Sequence, residues 1–436
     1  MRGIRVYRYR WVVLAALMAV VMASEMQWLA LAPISRVVAS YYNLNTTSNS
    51  FVGPDLLTLI HLVAFVVVSI PISWVVTKVS LKWTLRYSAI ALAFFSFLKG
   101  FGAHSFWIIV FAQVGLSISY SAIMNNVTLV VSRWFPLRER GFATGLVSLS
   151  QYLGLALVLI IAPLSVVTDP NSPSYGQGIE SLLLWLGIFN GVASIIVLFF
   201  FKEKPLTPPS KEPFKLQSYV VSFNLLLRKK HMGGFIGVFS LVWALYNIFI
   251  IKIDTLSAFI GIETSAGVLG IVFLIGGALG SLLIPLASDY FKKRKLFFVI
   301  CMLGIFGGVL LFAFIPLIIV SRYNHILLAH LGLFILGFFF QSAIPLGFQY
   351  ASELSSPVQE SSSHGVLLMG GHLLAIPFLM YINYMGGAYV EHLLILSVGL
   401  LFASLLGVLF IKESPIIITE EQRLQDAIAR ESIRLN

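Results

Sequence analysis

The sequence predicts an all-α membrane protein with twelve transmembrane helices arranged in two six-helix halves. Three observations lead to this prediction: an apolar composition, twelve apolar stretches of membrane-spanning length, and basic residues confined to one side. Of the 436 residues, 58% are hydrophobic and 11% are charged, whereas soluble domains have about 45–50% and about 25%. So few charges cannot cover a water-exposed surface, and we therefore expect lipid around the chain.

Twelve apolar stretches are long enough to cross a membrane, because a helix needs about 20 residues to span a hydrocarbon core of about 30 Å. A weak break at residues 102–105 separates the third stretch from the fourth. The predicted spans are 11–33, 53–77, 83–104, 105–131, 141–167, 180–201, 232–254, 264–288, 295–320, 325–350, 362–386 and 391–411.

The basic residues are distributed unevenly between the two sides of these spans. All but four of the 29 lysines and arginines fall at the N-terminus, in the loops on its side of the membrane, or in the C-terminal tail. The exceptions are Arg36, Lys99, Lys252 and Arg322. Because cytoplasmic loops are enriched in Lys and Arg, we predict that both termini are cytoplasmic. We expect a multi-pass protein of the plasma membrane.

A proline-containing, charged segment divides the chain into two parts. Residues 202–230 include four prolines and read as a cytoplasmic linker between a first half, 1–201, and a second half, 231–412. Both halves end alike, in Lys-Glu-Lys-Pro from Lys202 and in Lys-Glu-Ser-Pro from Lys412. This match predicts an internal duplication of the kind found in transporters, followed by a cytoplasmic tail, 413–436.

The sequence excludes several function classes. It contains no Gly-x-x-x-x-Gly-Lys-Ser/Thr loop for ATP phosphates, and no nucleophile–base pair or metal constellation emerges from it. Its one cysteine, Cys301, lies in an apolar run. We therefore expect no enzyme activity, no catalytic residues, no metal and no cofactor. The net charge of +11 reflects membrane topology, so no nucleic-acid partner is expected.

Two loops carry a family resemblance. Residues 133–145 (RWFPLRERGFATG) resemble the loop between helices four and five of the major facilitator superfamily, and residues 285–294 (PLASDYFKKR) resemble its acidic-then-basic loop after helix eight. The matching first-half loop has Thr77 where an acid is expected. The resemblance implies a major facilitator fold, with cytoplasmic ion pairs that favour an outward-open state. The candidate gating residues are Arg138, Glu139, Arg140, Asp289, Lys292, Lys293 and Arg294.

Local runs also resemble one branch of that superfamily, the feline leukaemia virus subgroup C receptors, which are associated with choline, ethanolamine and heme transport. Met26-Gln27-Trp28 is similar to the branch's aromatic-Gln-Trp, and residues 345–354 (PLGFQYASEL) are similar to its Pro-Leu-Gly-Phe-Glu segment. The resemblance implies that Trp28 is a cage tryptophan. His372 and Tyr120 stand at positions where the branch contacts substrate.

Glu25 is the only carboxyl group that we place well inside a predicted span. It lies roughly 20 Å along the first span, past mid-membrane, where a charge costs at least about 2.5–3.5 kcal/mol. Trp28 follows three residues later on the same helix face. The pair is suited to binding an ammonium group, while a structural ion pair for Glu25 and simple packing for Trp28 are the alternatives.

Further candidates lie in the second half. Trp243, Tyr246 and Asn247 fall at positions i, i+3 and i+4 of the seventh span, the repeat partner of the first, and we expect this stripe to face the same cavity. Helix packing is the alternative. His372, a polar group in an apolar helix, is expected to contact substrate or a proton.

Three charged residues near the outer ends of spans receive other assignments. Lys99 is one turn from the end of the third span and is expected to extend its amine to the membrane surface. Asp55 and Asp254 are expected to have solvated gating or capping roles.

These observations predict a monomeric secondary transporter that moves a small organic cation or amine-bearing metabolite by alternating access. A proton or another ion is the candidate coupling partner. One alternative is a proton-coupled carrier of organic anions or carboxylates, which the lack of arginine in the span interiors disfavours. The other is a non-transporting membrane receptor on the same scaffold.

Overall fold

The structure, a computed structural model, describes residues 6–44, 53–207, 219–229, 231–259, 266–315, 322–355, 360–385 and 389–414. Over these residues the chain forms sixteen α-helices and no strand. The first half contains α1 (Arg10–Trp28), α2 (Ser35–Tyr41), α3 (Asp55–Val79), α4 (Leu81–Phe101), α5 (Phe106–Met124), α6 (Val127–Trp134), α7 (Leu137–Ser165) and α8 (Ile179–Phe200). The remainder forms α9 (Tyr219–Arg228), α10 (Met232–Ile251), α11 (Ile253–Phe259), α12 (Ala266–Phe291), α13 (Arg294–Phe314), α14 (Arg322–Ser355), α15 (Glu360–Met385) and α16 (Tyr389–Leu409).

The described helices confirm a twelve-helix membrane fold. Eleven spans are long and apolar enough to cross a membrane, with α1 and α2 forming one span and α5 and α6 another. The remaining long helix is α4, whose 21 residues extend about 31 Å at 1.5 Å per residue. It packs against α5 and α8 and completes six helices in the first half. Lys82, Arg86 and Lys99 lower its hydropathy.

Two predicted spans are broken in ways the apolar pattern did not show. After Trp28 the chain passes through a 3₁₀ turn, Ala32–Ile34, before α2 begins. Between α5 and α6, Asn125 and Asn126 donate through their side-chain amides to the carbonyls four residues earlier, at 2.9 and 2.7 Å. Such bonds compete with the regular helix. The first break ends α1 directly beside the candidate binding residues.

The helices pack mainly within each half, and the most extensive contacts between the halves involve two pairs of helices. Within the halves, α4 contacts α8, α1 contacts α7, and α12 contacts α14. The α12–α14 contact is so close that a Cβ at Gly337 would collide with the carbonyl oxygen of Phe273. Across the halves, α3 contacts α15 and α7 contacts α12. The segment predicted as a linker contains α9, which contacts α10 and α15; the proposed domain boundaries stay a prediction.

We use two names for the ends of the molecule. The basic face is the end at which α1 begins, α3 meets α4, and α12 meets α13. The opposite face is the end at which α2, α4 and α10 finish.

Candidate functional site

Aromatic and polar side chains from both halves meet in the interior of the bundle. We call these residues the central cluster, and each is at most 7% exposed. They come from α1, α3 and α5 of the first half and from α10 and α15 of the second. The central cluster consists of Glu25, Trp28, His61, Phe65, Tyr120, Trp243, Tyr246 and His372.

Neutral hydrogen-bond donors hold the carboxyl group of Glu25. The indole Nε1 of Trp28 donates to Oε2 at 2.5 Å, and the hydroxyl of Tyr120 donates to Oε1 at 2.8 Å. The amide of Gln151 reaches the Tyr120 oxygen at 3.5 Å. Among the described ion pairs none involves Glu25. The i, i+3 spacing of Glu25 and Trp28 therefore brings them into direct contact, without a basic partner in the described part of the chain.

The ring of His61 fills the space beside this pair. It stacks on Trp28 with ring centres 4.5 Å apart and planes at 12°, and it meets Tyr120 edge-on at 4.5 Å. Sequence reasoning missed His61, although a single histidine within the apolar second span was an available signal. Its role depends on which residues of α1 and α5 lie opposite α3. The spacing of residues along one helix does not contain that information.

The two halves touch at His372. Its ring stacks on Phe65 of the first half at 4.2 Å and 14°, lies 6.4 Å from His61, and lies 6.1 Å from Trp243. Trp243 and Tyr246 are 6.0 Å apart. The seventh-span stripe predicted from spacing thus lies beside the first-half residues.

Three polar atoms of the central cluster are buried without a hydrogen-bond partner among the described residues. They are Nδ1 of His61, Nε1 of Trp243 and the hydroxyl of Tyr246. Buried polar atoms are nearly always bonded in native structures, so these atoms are available to a ligand or to water. Asn247 differs, because its amide donates to the Trp243 carbonyl at 2.8 Å.

The assignment of Lys99 to the membrane surface is wrong. Its side chain is buried, 1% exposed, and Nζ donates to the Gln113 side-chain oxygen at 2.8 Å and to the Gln27 carbonyl at 3.0 Å. The physical reason is that α1, α5 and α8 contact α4. Of these helices, α1 and α5 supply the polar partners, which replace the hydration that the amine would otherwise seek at the surface.

Two ion pairs join the halves near the opposite face, and we call them the bridging pairs. Arg36 of α2 contacts Asp254 of α11 at 2.8 Å, with a second contact at 3.1 Å. Lys252 contacts Asp55 of α3 at 2.6 Å and also donates to Asn383 at 2.8 Å. Both aspartates lie at the predicted end of the molecule. The expectation of a solvated role is wrong for Asp254, which is 4% exposed and paired with Arg36, and neither partner was predicted from the sequence.

The described ion pairs of the basic face stay within one half. Glu139 contacts Arg10 at 2.9 Å, while Arg294 contacts Asp289 and Glu353. Lys292 and Lys293 are exposed, and the side chains of Arg138 and Arg140 lie outside the described residues. In this conformation the halves are therefore linked by charge at the opposite face, and gating at the basic face stays a prediction.

The chain is similar in sequence to proteins named choline/ethanolamine transporters. It is 26% identical over 407 residues to choline/ethanolamine transporter flvcr2a of Danio rerio, covering 89% of this chain and 82% of that protein. It is 25% identical over 395 residues to choline/ethanolamine transporter FLVCR2 of Homo sapiens, covering 86% and 72%.

Solved structures show the same fold at lower identity. A bacterial homologue of the human lysosomal transporter Spinster, in an inward-facing and unoccupied conformation, superposes with a TM-score of 0.67 at 12% identity over 93% of this chain and 98% of that chain. A nucleoside transporter, NupG, gives 0.65 at 14% identity over 91% and 100%.

The family follows from the length of sequence that matches. Residues 13–378, well over half of the chain, match the sequence model of the Major Facilitator Superfamily, and the relatives include the branch that the local runs resemble. The chain is thus a multi-pass membrane transporter rather than an enzyme, and it belongs to the major facilitator superfamily.

Proposed function

We propose that this transporter carries a small organic cation or an amine-bearing metabolite, bound at the central cluster. The observation that carries the proposal is the Glu25 carboxyl group, which is fully buried and is held by neutral side chains, Trp28 and Tyr120 with Gln151 beside them. A carboxylate in this setting lacks a counter-charge, and a bound cation supplies one.

The aromatic rings around Glu25 favour the same class of ligand. A cation over an aromatic face gains about 0.5–1 kcal/mol at exposed sites and about 2 kcal/mol when desolvated. Trp28 and Tyr120 border Glu25 from the first half, and Trp243 and Tyr246 lie in the second. Choline and ethanolamine, named for the relatives, are a quaternary and a primary ammonium alcohol. They are therefore the first substrates to test.

A transporter of this fold moves its substrate by opening the central site first to one face and then to the other. We propose that the bridging pairs close the opposite face, and that rocking of the halves breaks them while the candidate gating residues close the basic face. The charge asymmetry supports a cytoplasmic basic face with both termini in the cytoplasm. We place the protein in the plasma membrane as a monomer, driven by the substrate gradient or by a coupling proton or ion.

Uptake into proteoliposomes that contain the purified protein tests this function. We expect saturable uptake of radiolabelled choline or ethanolamine. Glu25→Gln keeps the side-chain shape but removes the charge, and it should weaken apparent affinity by about tenfold to a hundredfold, since hydrogen bonds to charged groups contribute about 1.5–3 kcal/mol. Glu391→Gln, the same change at an exposed residue of α16, is the matched control and should behave as wild type.

The alternatives give different results in this assay. An organic-anion carrier would transport carboxylates and would bind them equally well after Glu25→Gln. A non-transporting receptor would bind an amine without moving it across the vesicle membrane. Either outcome would refute the cation-transport proposal.

A further inference from the structure

A side chain of the protein covers one face of Trp28, a residue that donates to Glu25. The imidazole of His61 lies flat on the face of Trp28, 4.5 Å away and 12° from parallel, and edge-on to Tyr120 at 4.5 Å. Trp28 and Tyr120 both donate to Glu25. A small ammonium group bound on this face of Trp28 would therefore overlap the ring of His61.

Two features bear on how His61 is held in this position. Its Nδ1 is buried and has no hydrogen-bond partner among the described residues, so the ring is held on that side by packing alone. It also lies on α3, which contacts α15 of the other half, and its ring is 6.4 Å from that of His372. Movement of the halves therefore changes the space that is open to this ring.

We propose that His61 is an internal occupant of the cation site: its ring covers Trp28 while the site is empty, the substrate displaces it, and its bulk limits the size of the ammonium group that fits. The inference rests on the proposed function and adds a residue that determines specificity. His61 then differs in kind from Glu25 and Trp28, because it opposes binding, whereas they favour it.

Removing the ring should strengthen binding. The stacking of an aromatic pair contributes free energy equivalent to about a threefold to tenfold change in binding affinity. In a variant without the ring, the substrate no longer has to displace that stacking contact. His61→Ala should therefore bind choline about threefold to tenfold more tightly than wild type. It should also bind tetraethylammonium, whose larger headgroup the wild type should exclude. His61→Phe keeps a ring on Trp28, so it should bind choline within about twofold of wild type and exclude tetraethylammonium.

The test is isothermal titration of choline and of tetraethylammonium into the purified full-length protein. His104→Ala, the same change at an exposed residue between α4 and α5, is the matched control and should leave both affinities unchanged. The ligand-free melting temperature shows whether each variant is folded. His61→Cys provides a second truncation, for which the same tighter binding is required if His61→Ala does not fold.

The outcomes separate this inference from the proposed function. Choline binding to the truncated variants that is equal to or weaker than wild type would overturn the inference and leave His61 as a contact or structural residue, with the cation site intact. Absence of choline binding to wild type and to every variant would refute the proposed choline site, and the inference with it.

Discussion

At the scale of single residues, the molecule gives Glu25 donors that bear no charge. An indole and a phenol hold its two oxygens, and both donors belong to rings that can also contact a cation. A buried carboxylate with a permanent basic partner would be neutralised, and its removal would mainly affect folding. Neutral donors instead position the group and leave its charge for a ligand.

Lys99 offers a test of stability at this scale. Replacing it with Met leaves the Gln27 carbonyl and the Gln113 side-chain oxygen without their shared donor, and each unsatisfied buried group costs about 1–3 kcal/mol. We expect Lys99→Met to lower the melting temperature of the detergent-purified protein. Lys78→Met, at an exposed residue of α3, should leave it unchanged. Equal melting temperatures for the two variants would show that the buried contacts of Lys99 do not stabilise the fold.

Residue-scale prediction from sequence succeeded within one helix and failed between helices. The contact of Glu25 with Trp28 follows from a spacing of three residues, which the helix repeat fixes. The place of His61 on Trp28 and the inward turn of Lys99 depend on which helices become neighbours. The sequence pattern of one span carries no information about its neighbours, and Tyr120 was found only through a family resemblance.

At the scale of helices, the breaks within two spans were harder to predict from the sequence than the spans themselves. The apolar pattern predicted twelve spans, and the twelve-helix fold is confirmed, because span length is set by membrane thickness. The breaks after Trp28 and at Asn125 were not predicted. At Asn125 and the asparagine that follows it, side-chain bonds to backbone carbonyls compete with the regular helix, and the first break contains Pro33, which has no backbone N–H to continue the helix. Neither feature interrupts the apolar pattern. The break in the first span allows α1 to end at the central cluster and α2 to carry Arg36 toward Asp254.

The bridging pairs predict a conformational effect of mutation. Asp254→Asn weakens the contact with Arg36 and should favour opening of the opposite face. A cysteine at Leu57, which is 3% exposed in α3, should then react faster with an impermeant maleimide, by about tenfold if the pair contributes about 1.4 kcal/mol. The native Cys301 is buried and should contribute little background labelling.

The control for this measurement is Asp169→Asn, an exposed aspartate in the same end of the molecule. It should leave the labelling rate of the Leu57 cysteine unchanged. Identical rates in the two backgrounds would mean that the bridging pairs do not hold the opposite face closed.

At the scale of the whole molecule, charge distribution sets the proposed orientation. Nearly all lysines and arginines belong to one end, and the positive-inside rule places that end in the cytoplasm. A cysteine at Leu206, 86% exposed after α8, should react only in permeabilised cells. One at His104 should react with impermeant reagent in intact cells. The reverse pattern would invert the proposed topology and the assignment of every loop.

The central claim is that the positive charge of the substrate is recognised at Glu25. It is tested most directly by competition of choline uptake with 3,3-dimethyl-1-butanol, the uncharged isostere of choline. Glu25 and the surrounding rings should bind the cation preferentially, so unlabelled choline should inhibit uptake at a concentration at least about tenfold lower than the isostere, which corresponds to about 1.4 kcal/mol. Equal inhibition by the two compounds would show that shape alone is recognised and would contradict the account.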